Sequence, residues 1–288
     1  MTSPVPAGSA AIEASSAPLW LEQWRLLGAF VRRNALVDLS YRMQLVTTVL
    51  GALVSLATFY FLAGLVDRQA LAGGAGQRYF PFVLVGLACA QFSGVAMNGL
   101  SAQLRQEQVL GTLEATLVQP IRPLQWVLCL PAWDACWASL QLALYLALGV
   151  AFFHLDLSHA NWLAAGLVLL ASLLALFGLG LLAAAYVVLF KRGNPVQSIV
   201  NTTFMLLSGV YFPVALLPAP LRWVAQWLPI THVLQGARRA LLDGLRLAEL
   251  LPSLGLLLIF AAVLLPLGLA AIAWALRRVR RHGTLAAY

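Results

Sequence analysis

Asn161-Trp-Leu-Ala-Ala-Gly-Leu-Val-Leu-Leu-Ala-Ser-Leu-Leu-Ala-Leu-Phe-Gly-Leu-Gly-Leu-Leu-Ala-Ala-Ala-Tyr-Val-Val-Leu-Phe190 runs for 30 residues without a charged side chain. A helix needs roughly 20 predominantly apolar residues to cross the hydrocarbon layer, whereas a barrel strand uses only about 9–11. Five further segments pass the helical test: 43–66, 79–100, 124–153, 196–217 and 250–276. The composition agrees, because 61% hydrophobic and 10% charged residues in a chain of 288 leave more apolar surface than a soluble core of that size can hide. These observations predict an all-α polytopic membrane protein with six transmembrane helices.

Little lies outside the spans. Residues 1–18 are small, polar and rich in Pro, Ser and Ala, and lack the basic stretch and apolar core of a cleavable signal peptide, so they are expected to form a disordered tail. Residues 19–42 set Trp20, Trp24, Leu27 and Phe30 at near-helical spacing beside Arg25, Arg32 and Arg33, which suits an N-terminal helix lying in the membrane interface. One transmembrane domain, 19–281, then accounts for the chain, followed by a short tail over 282–288. No internal repeat of fixed period is visible.

Six spans place both termini on one side. With the termini cytoplasmic, 12 of the 18 basic residues fall on inner segments, and four of the other six lie in the long segment after the fifth span, where the positive-inside rule weighs least. The expected location is the cell (inner) membrane, multi-pass, with both termini cytoplasmic. The net charge of +8 flanks hydrophobic spans and does not gather on a soluble domain, which points to anionic lipid headgroups and away from nucleic acid. Cys89, Cys129 and Cys136 all fall in predicted spans and read as small packing residues, with neither a disulfide framework nor zinc-ligand spacing.

Between the second and third spans lies Arg105-Gln-Glu107-Gln-Val-Leu-Gly111-Thr112-Leu-Glu114-Ala-Thr-Leu-Val-Gln119-Pro120. Thr112 is placed to cap a new helix after Gly111, Glu114 falls in its first turn where the helix dipole favours an acid, and Pro120 ends it. Taken alone, these signals fit either a docking helix or an ordinary capped connector. A second unusual segment, 211–249, is too apolar for a free loop and too often interrupted by proline for a span. Pro213, Pro218, Pro220 and Pro229 divide it into short helices, and non-spanning backbone at membrane depth must be covered by protein or line a cavity. A re-entrant helical hairpin on the outer side is therefore expected, as a gate or exit path or as a packed cap.

The Glu-x-x-x-Gly-Thr-Leu-Glu-x-x-x-x-x-Pro pattern over 107–120 resembles the first cytoplasmic connector of ABC-2-type transporter permeases, the transmembrane subunits of ABC exporters. Phe212-Pro213, Leu217-Pro218, Leu228-Pro229 and Arg238 resemble the late extracellular segment of the same family. The resemblance implies that Glu107, Gly111, Thr112, Glu114 and Pro120 belong to a cytoplasmic coupling helix that contacts a separate ATPase subunit. It implies that Phe212, Pro213, Pro218, Pro229 and Arg238 belong to an extracellular re-entrant gate. It also implies two ATPase copies beside two permeases, the second a copy of this chain or a homologue.

The residues fit an energy source on another polypeptide. A Walker A loop needs Gly-Lys-Ser/Thr, and the sole lysine, Lys191, follows Phe190. No cofactor is thus expected in this chain, with ATP and Mg on the partner ATPase. Gly178-Leu-Gly180-Leu-Leu-Ala183 matches a dinucleotide fingerprint on paper but lies inside a span, where a close-packing stripe of small residues is the better reading. No His-Glu-x-x-His, nucleophile elbow or paired carboxylates support an enzyme.

Asp134 is the acid placed well inside a predicted span, where hydrocarbon exposure would cost about 2.5–3.5 kcal/mol on insertion scales. It fits a translocation path, a subunit contact or a structural pair near the cytoplasmic interface. Trp133 and Trp137, one turn apart, offer stacking surface for cargo or interfacial anchors. An ion-coupled secondary carrier would carry several intramembrane ionisable groups, and a membrane scaffold would need neither the charged connector nor the hairpin. The exporter reading, with a lipid-linked or amphipathic cargo such as a glycolipid, polysaccharide, lipid or drug, absorbs the most features.

Overall fold

A computed structural model describes residues 31–36, 42–70, 79–110, 130–190 and 195–282, together with Gly28, Ser40 and Val127. The described chain is all α. Helices α1 (Arg42–Ala70), α2 (Tyr79–Val109), α3 (Pro131–Phe153) and α4 (Trp162–Phe190) are followed by α5 (Pro195–Leu207), a 3-10 turn (Val214–Leu216), α6 (Ala219–Gln226), α7 (Pro229–Leu241) and α8 (Leu247–His282). Five of these, α1, α2, α3, α4 and α8, are long and apolar enough to cross a membrane. Residues 31–36 are helical, and the rest of the expected interfacial helix lies almost wholly outside the described residues.

The expected fifth span, 196–217, is not one continuous helix. It stops at Leu207 after 13 residues, roughly 20 Å of rise against the ~30 Å of the hydrocarbon layer. The cause is local. Gly209 has φ +83, a left-handed conformation that ends the helix, and Pro213 disfavours helical backbone at Phe212. The remainder of the segment is spent in turns and the 3-10 element.

Two other boundaries move. α2 continues nine residues past the expected end at Leu100, so Arg105 and Glu107 ride on the helix itself and not on a separate connector. That extension stays packed: Leu104 is fully buried, and Gln108 Nε2 donates to the Val187 carbonyl of α4 at 3.3 Å. α8 runs to His282, carrying Arg277 and Arg278 beyond the apolar stretch.

α4 is the central helix, flanked by α8, α2 and α7, while α2 also packs on α3. Two buried clusters fill the bundle. The larger joins α1, α2, α3, α4, α7 and the first turns of α8, and the smaller gathers Leu100, Leu104, Leu181, Ala184, Ile272 and Leu276 toward the other end. Water-driven burial cannot hold helices together in lipid, so close backbone approach matters more. The glycine stripe of α4 supplies it. A Cβ on Gly178 would lie 2.6 Å from the Leu264 carbonyl carbon of α8, and one on Gly268 would lie 2.6 Å from the Gly178 oxygen. Gly180 faces the other way, where a Cβ would lie 3.1 and 3.2 Å from the Met97 and Ala96 carbonyl oxygens of α2.

The α3–α4 turn fixes one end of the molecule. His154 takes φ 56 and Leu155 N–H donates to the Gly149 carbonyl at 3.0 Å, a left-handed helix stop. Asp156 Oδ1 accepts from Ser158 N–H at 2.9 Å, and hydrogen bonds from Ser158 together with nearby His159 hold its carboxyl below the usual range. Asn161 caps α4 by accepting from Ala164 N–H at 3.1 Å, and its own backbone N–H donates to the Ala240 carbonyl at 2.9 Å. The proline-divided segment therefore returns to the same end as this turn. Gly244, at φ +62, lies so close to the His159 carbonyl that no side chain fits.

Cys89 is buried as expected, Cys136 is exposed on α3, and Cys129 lies outside the described residues.

Candidate functional site

Each proline of the 211–249 segment opens an element. Pro213 precedes the 3-10 turn, Pro218 precedes α6 with Pro220 in its first turn, and Pro229 is the first residue of α7. Proline suits the first helical turn because its missing N–H would have no intrahelical partner there. α6 is mostly exposed, with Trp223 and, just past its end, Trp227 projecting, whereas α7 is buried against α2, α4 and α8.

Arg238 of α7 locks this hairpin. Its Nε donates to the Phe82 carbonyl at 3.1 Å, one terminal nitrogen to the Gly209 carbonyl at 2.9 Å and the other to the Val210 carbonyl at 3.0 Å. The guanidinium also lies 3.4 Å from the Phe82 ring centroid. One planar fork thus joins the start of α2, the turn after α5 and α7, using donor geometry that lysine lacks. Gly86 makes room for it: a Cβ there would meet the guanidinium and, at 2.6 Å, the Val210 oxygen. Phe212 and Pro213 follow directly on this lock, while Pro218 and Pro229 lie at the starts of α6 and α7.

Below the lock, α2, α5 and the start of α7 border a half-open cavity of 230 Å³ lined by Gln91, Gly94, Asn98, Asn201, Phe204 and Ile230 with four other apolar residues. Asn201 Nδ2 donates to Asn98 Oδ1 at 3.3 Å, and Asn98 Nδ2 donates to the Gly94 carbonyl at 2.8 Å. Sequence reasoning passed over these amides. The signal available was three amide side chains standing in otherwise apolar runs.

Toward the opposite end, Gln103 Nε2 donates to both carboxylate oxygens of Asp134 at 2.9 Å. Gly99 lets the carboxylate in, since a Cβ there would lie 2.7 Å from Asp134 Cγ. Asp134 also borders a 140 Å³ cavity with Leu173, Leu174 and Phe177. Trp133 and Trp137 stack with centroids 6.2 Å apart, and Trp137 lines a 390 Å³ apolar groove between α1 and α3. Glu107 is half-buried on the last turns of α2; Gly111, Thr112, Glu114 and Pro120 lie outside the described residues. The hairpin group and the Asp134 group stand apart: Phe82 and Gln103, their contacts on α2, are separated by roughly 31 Å of helix rise.

Comparison with known proteins follows the same lines. The family model for the ABC-2 type transporter matches residues 23–242. Nodulation protein J of Rhizobium leguminosarum bv. viciae is 26% identical over 248 residues, covering 85% of this chain and 90% of that protein. The linearmycin resistance permease protein LnrN of Bacillus subtilis (strain 168) is 27% identical over 137 residues, covering 44% of this chain and 36% of its own length. A polytopic bundle of apolar helices and a family match across most of its length together establish that the chain belongs to the ABC-2 type transporter family of membrane permeases.

Proposed function

We propose that this permease exports an amphipathic or lipid-linked molecule from the cytoplasm or inner leaflet, driven by a separate ABC ATPase. Members of the ABC-2 family normally work with such a subunit. The observation that carries the reading is the family match over 23–242, which takes in both the 105–120 connector and the hairpin. One of the relatives is named a linearmycin resistance permease, which agrees with a transport role. Two permeases and two ATPases would form the working unit, with ATP and Mg held by the ATPases. The connector after Leu110 would meet the ATPase, and the continuous helix α2 would carry its displacement toward the lock at Phe82. α2 is unbroken helix from Tyr79 to Val109, so a push at Glu107 would travel along a single element.

This reading sets the hairpin and the α3–α4 turn outside the cell. In a cysteine-free background, Ser158→Cys and Ala219→Cys are expected to react with an impermeant maleimide from outside, and Leu110→Cys only after permeabilisation. All three positions are exposed. The reverse pattern would invert the membrane orientation.

Charge reversal tests the docking role. Glu107→Lys and Glu114→Lys are each expected to weaken assembly with the ATPase and remove cargo-stimulated ATP hydrolysis, because reversing the charge introduces repulsion and leaves a partner group unpaired, which costs about 2–5 kcal/mol where the contact is buried. Glu107 is half-buried on α2, so the unfolding temperature of each variant is measured alongside to separate lost docking from lost folding. Normal assembly and coupling in both variants would remove the last turns of α2 and the connector from the docking role.

A further inference from the structure

We propose that the groove between the starts of α1 and α3 holds a resident anionic phospholipid, with one acyl chain along the groove and its phosphate on Arg42. The lipid is a fixed part of the folded permease and not its cargo. The groove shares no residue with the Arg238 lock or with the cavity beside Asn98 and Asn201. Its assignment to the inner leaflet follows from the membrane orientation proposed above; the site itself does not depend on it.

The shape of the groove selects a hydrocarbon chain. α1 meets the bundle at Ala52, Leu56 and Ala63, which are buried, whereas every residue from Arg42 to Gly51 is exposed or half-buried. The first turns of α1 thus stand off from α3, and Leu45, Val49, Trp137, Leu140, Leu144 and Ala147 line the gap. Between Trp137 and Ala147 it follows α3 for roughly 15 Å, one leaflet's share of the ~30 Å hydrocarbon layer. Spread over that length, 390 Å³ gives a bore of roughly 6 Å, about half the 10–12 Å of a helix with its side chains. A helix from a second copy is too thick to seat there, and an extended acyl chain is not. The lining is carbon nearly throughout: even Thr48 turns its hydroxyl onto the Gln44 carbonyl at 2.8 Å. In a bilayer such a gap is filled, because empty space would cost its walls their dispersion contacts.

Charge selects the head. Leu45 lies three residues into α1 and Trp137 six into α3, so the groove starts near the membrane surface at the end where both helices begin. Arg42 is the first residue of α1, one turn before Leu45 and on the stripe that continues through Leu45 and Val49. It is exposed, and no acid stands in the first turn of α1 to neutralise it. A guanidinium binds a phosphate through paired hydrogen bonds, and its stem lies along apolar surface while the charge stays at headgroup level. Trp137, stacked on Trp133, lines the same end, where tryptophan prefers to sit. A zwitterionic head would bring a second cation beside Arg42, so a head of net negative charge is the better match.

The test uses the full chain in mixed micelles containing equimolar dioleoyl phosphatidylglycerol and dioleoyl phosphatidylcholine, and native mass spectrometry counts the lipids retained per chain. One phosphatidylglycerol is expected to be retained about 5-fold over phosphatidylcholine, the preference that one arginine at a membrane surface supplies. Arg42→Gln should equalise the two lipids, whereas Arg277→Gln, which removes an exposed arginine near the end of α8, should leave the preference intact. Ala143→Phe together with Ala147→Phe fills the groove from exposed positions on α3 and should release the lipid whatever its head. Where the filled variant misfolds, which its unfolding temperature shows, the two arginine variants still decide. Equal retention of the two lipids by the parent chain, equal effects of Arg42→Gln and Arg277→Gln, or a lipid kept by a folded filled variant would overturn the proposal. So would a dimer in the same spectra that separates when the groove is filled, since it would seat a second copy there. None of these readouts involves ATP, so their failure leaves the export reading standing, and absence of an ATPase leaves them unaffected.

Discussion

Replacing Arg238 by alanine is expected to destabilise the permease by about 3 kcal/mol or more, because hydrogen bonds from a charged donor are each worth roughly 1.5–3 kcal/mol and buried acceptors left unpaired add to the loss. The substitution removes all three bonds from the guanidinium to Phe82, Gly209 and Val210, together with its contact on the Phe82 ring. Arg238→Lys should recover only part of the loss, since an ammonium cannot reach three carbonyls through a planar fork. Arg239→Ala, one residue along on the exposed face, is the control and should lie within about 0.5 kcal/mol of the parent. Unfolding in mixed micelles measures the series. An Arg238→Ala protein as stable as Arg239→Ala would show that the hairpin is held by apolar packing alone.

The second large effect belongs to the α4–α8 crossing. Gly178→Ala is expected to cost about 2–3 kcal/mol, the upper range for overpacking, because its Cβ would strike the Leu264 and Leu265 backbone and not a side chain able to swing aside. The same change at Gly166, on the same helix, meets nothing within 4 Å and should be neutral or slightly stabilising, as alanine is the better helix former. Equal unfolding temperatures for the two variants would mean that α4 and α8 do not cross at these glycines.

That crossing shows what sequence can disclose about such a fold. The Gly178–Ala183 motif was readable as close packing because its context, an uncharged apolar run, excluded a nucleotide loop. The prolines at 213, 218 and 229 likewise foretold where short elements begin, since proline acts through its own backbone. Less visible was the early end of α5. A window of apolar residues cannot distinguish helix from a left-handed turn at Gly209 followed by Phe212-Pro213, so length alone overstated the fifth span. The extension of α2 to Val109 was missed for the opposite reason: charged residues ended the apolar window while helical hydrogen bonding continued, supported by Leu104 and Gln108 against α4.

At the candidate sites the limit was tertiary. Asp134 stood out as an acid in a span, but its partner Gln103 lies 31 residues away in sequence, and the pair becomes apparent only when α2 and α3 cross at Gly99. The amides Gln91, Asn98 and Asn201 were visible singly, but that they share one cavity was not, because its walls come from three separate helices.

The most direct measurement is ATP hydrolysis by the chain purified alone and by the chain recovered with its associated proteins from native membranes. The export reading expects this chain to hydrolyse no ATP by itself, and the native complex to contain a Walker-motif ATPase and hydrolyse ATP. Hydrolysis by the rigorously purified single chain, or a native complex containing no ATPase, would contradict the assignment of this protein as the membrane half of an ATP-driven exporter.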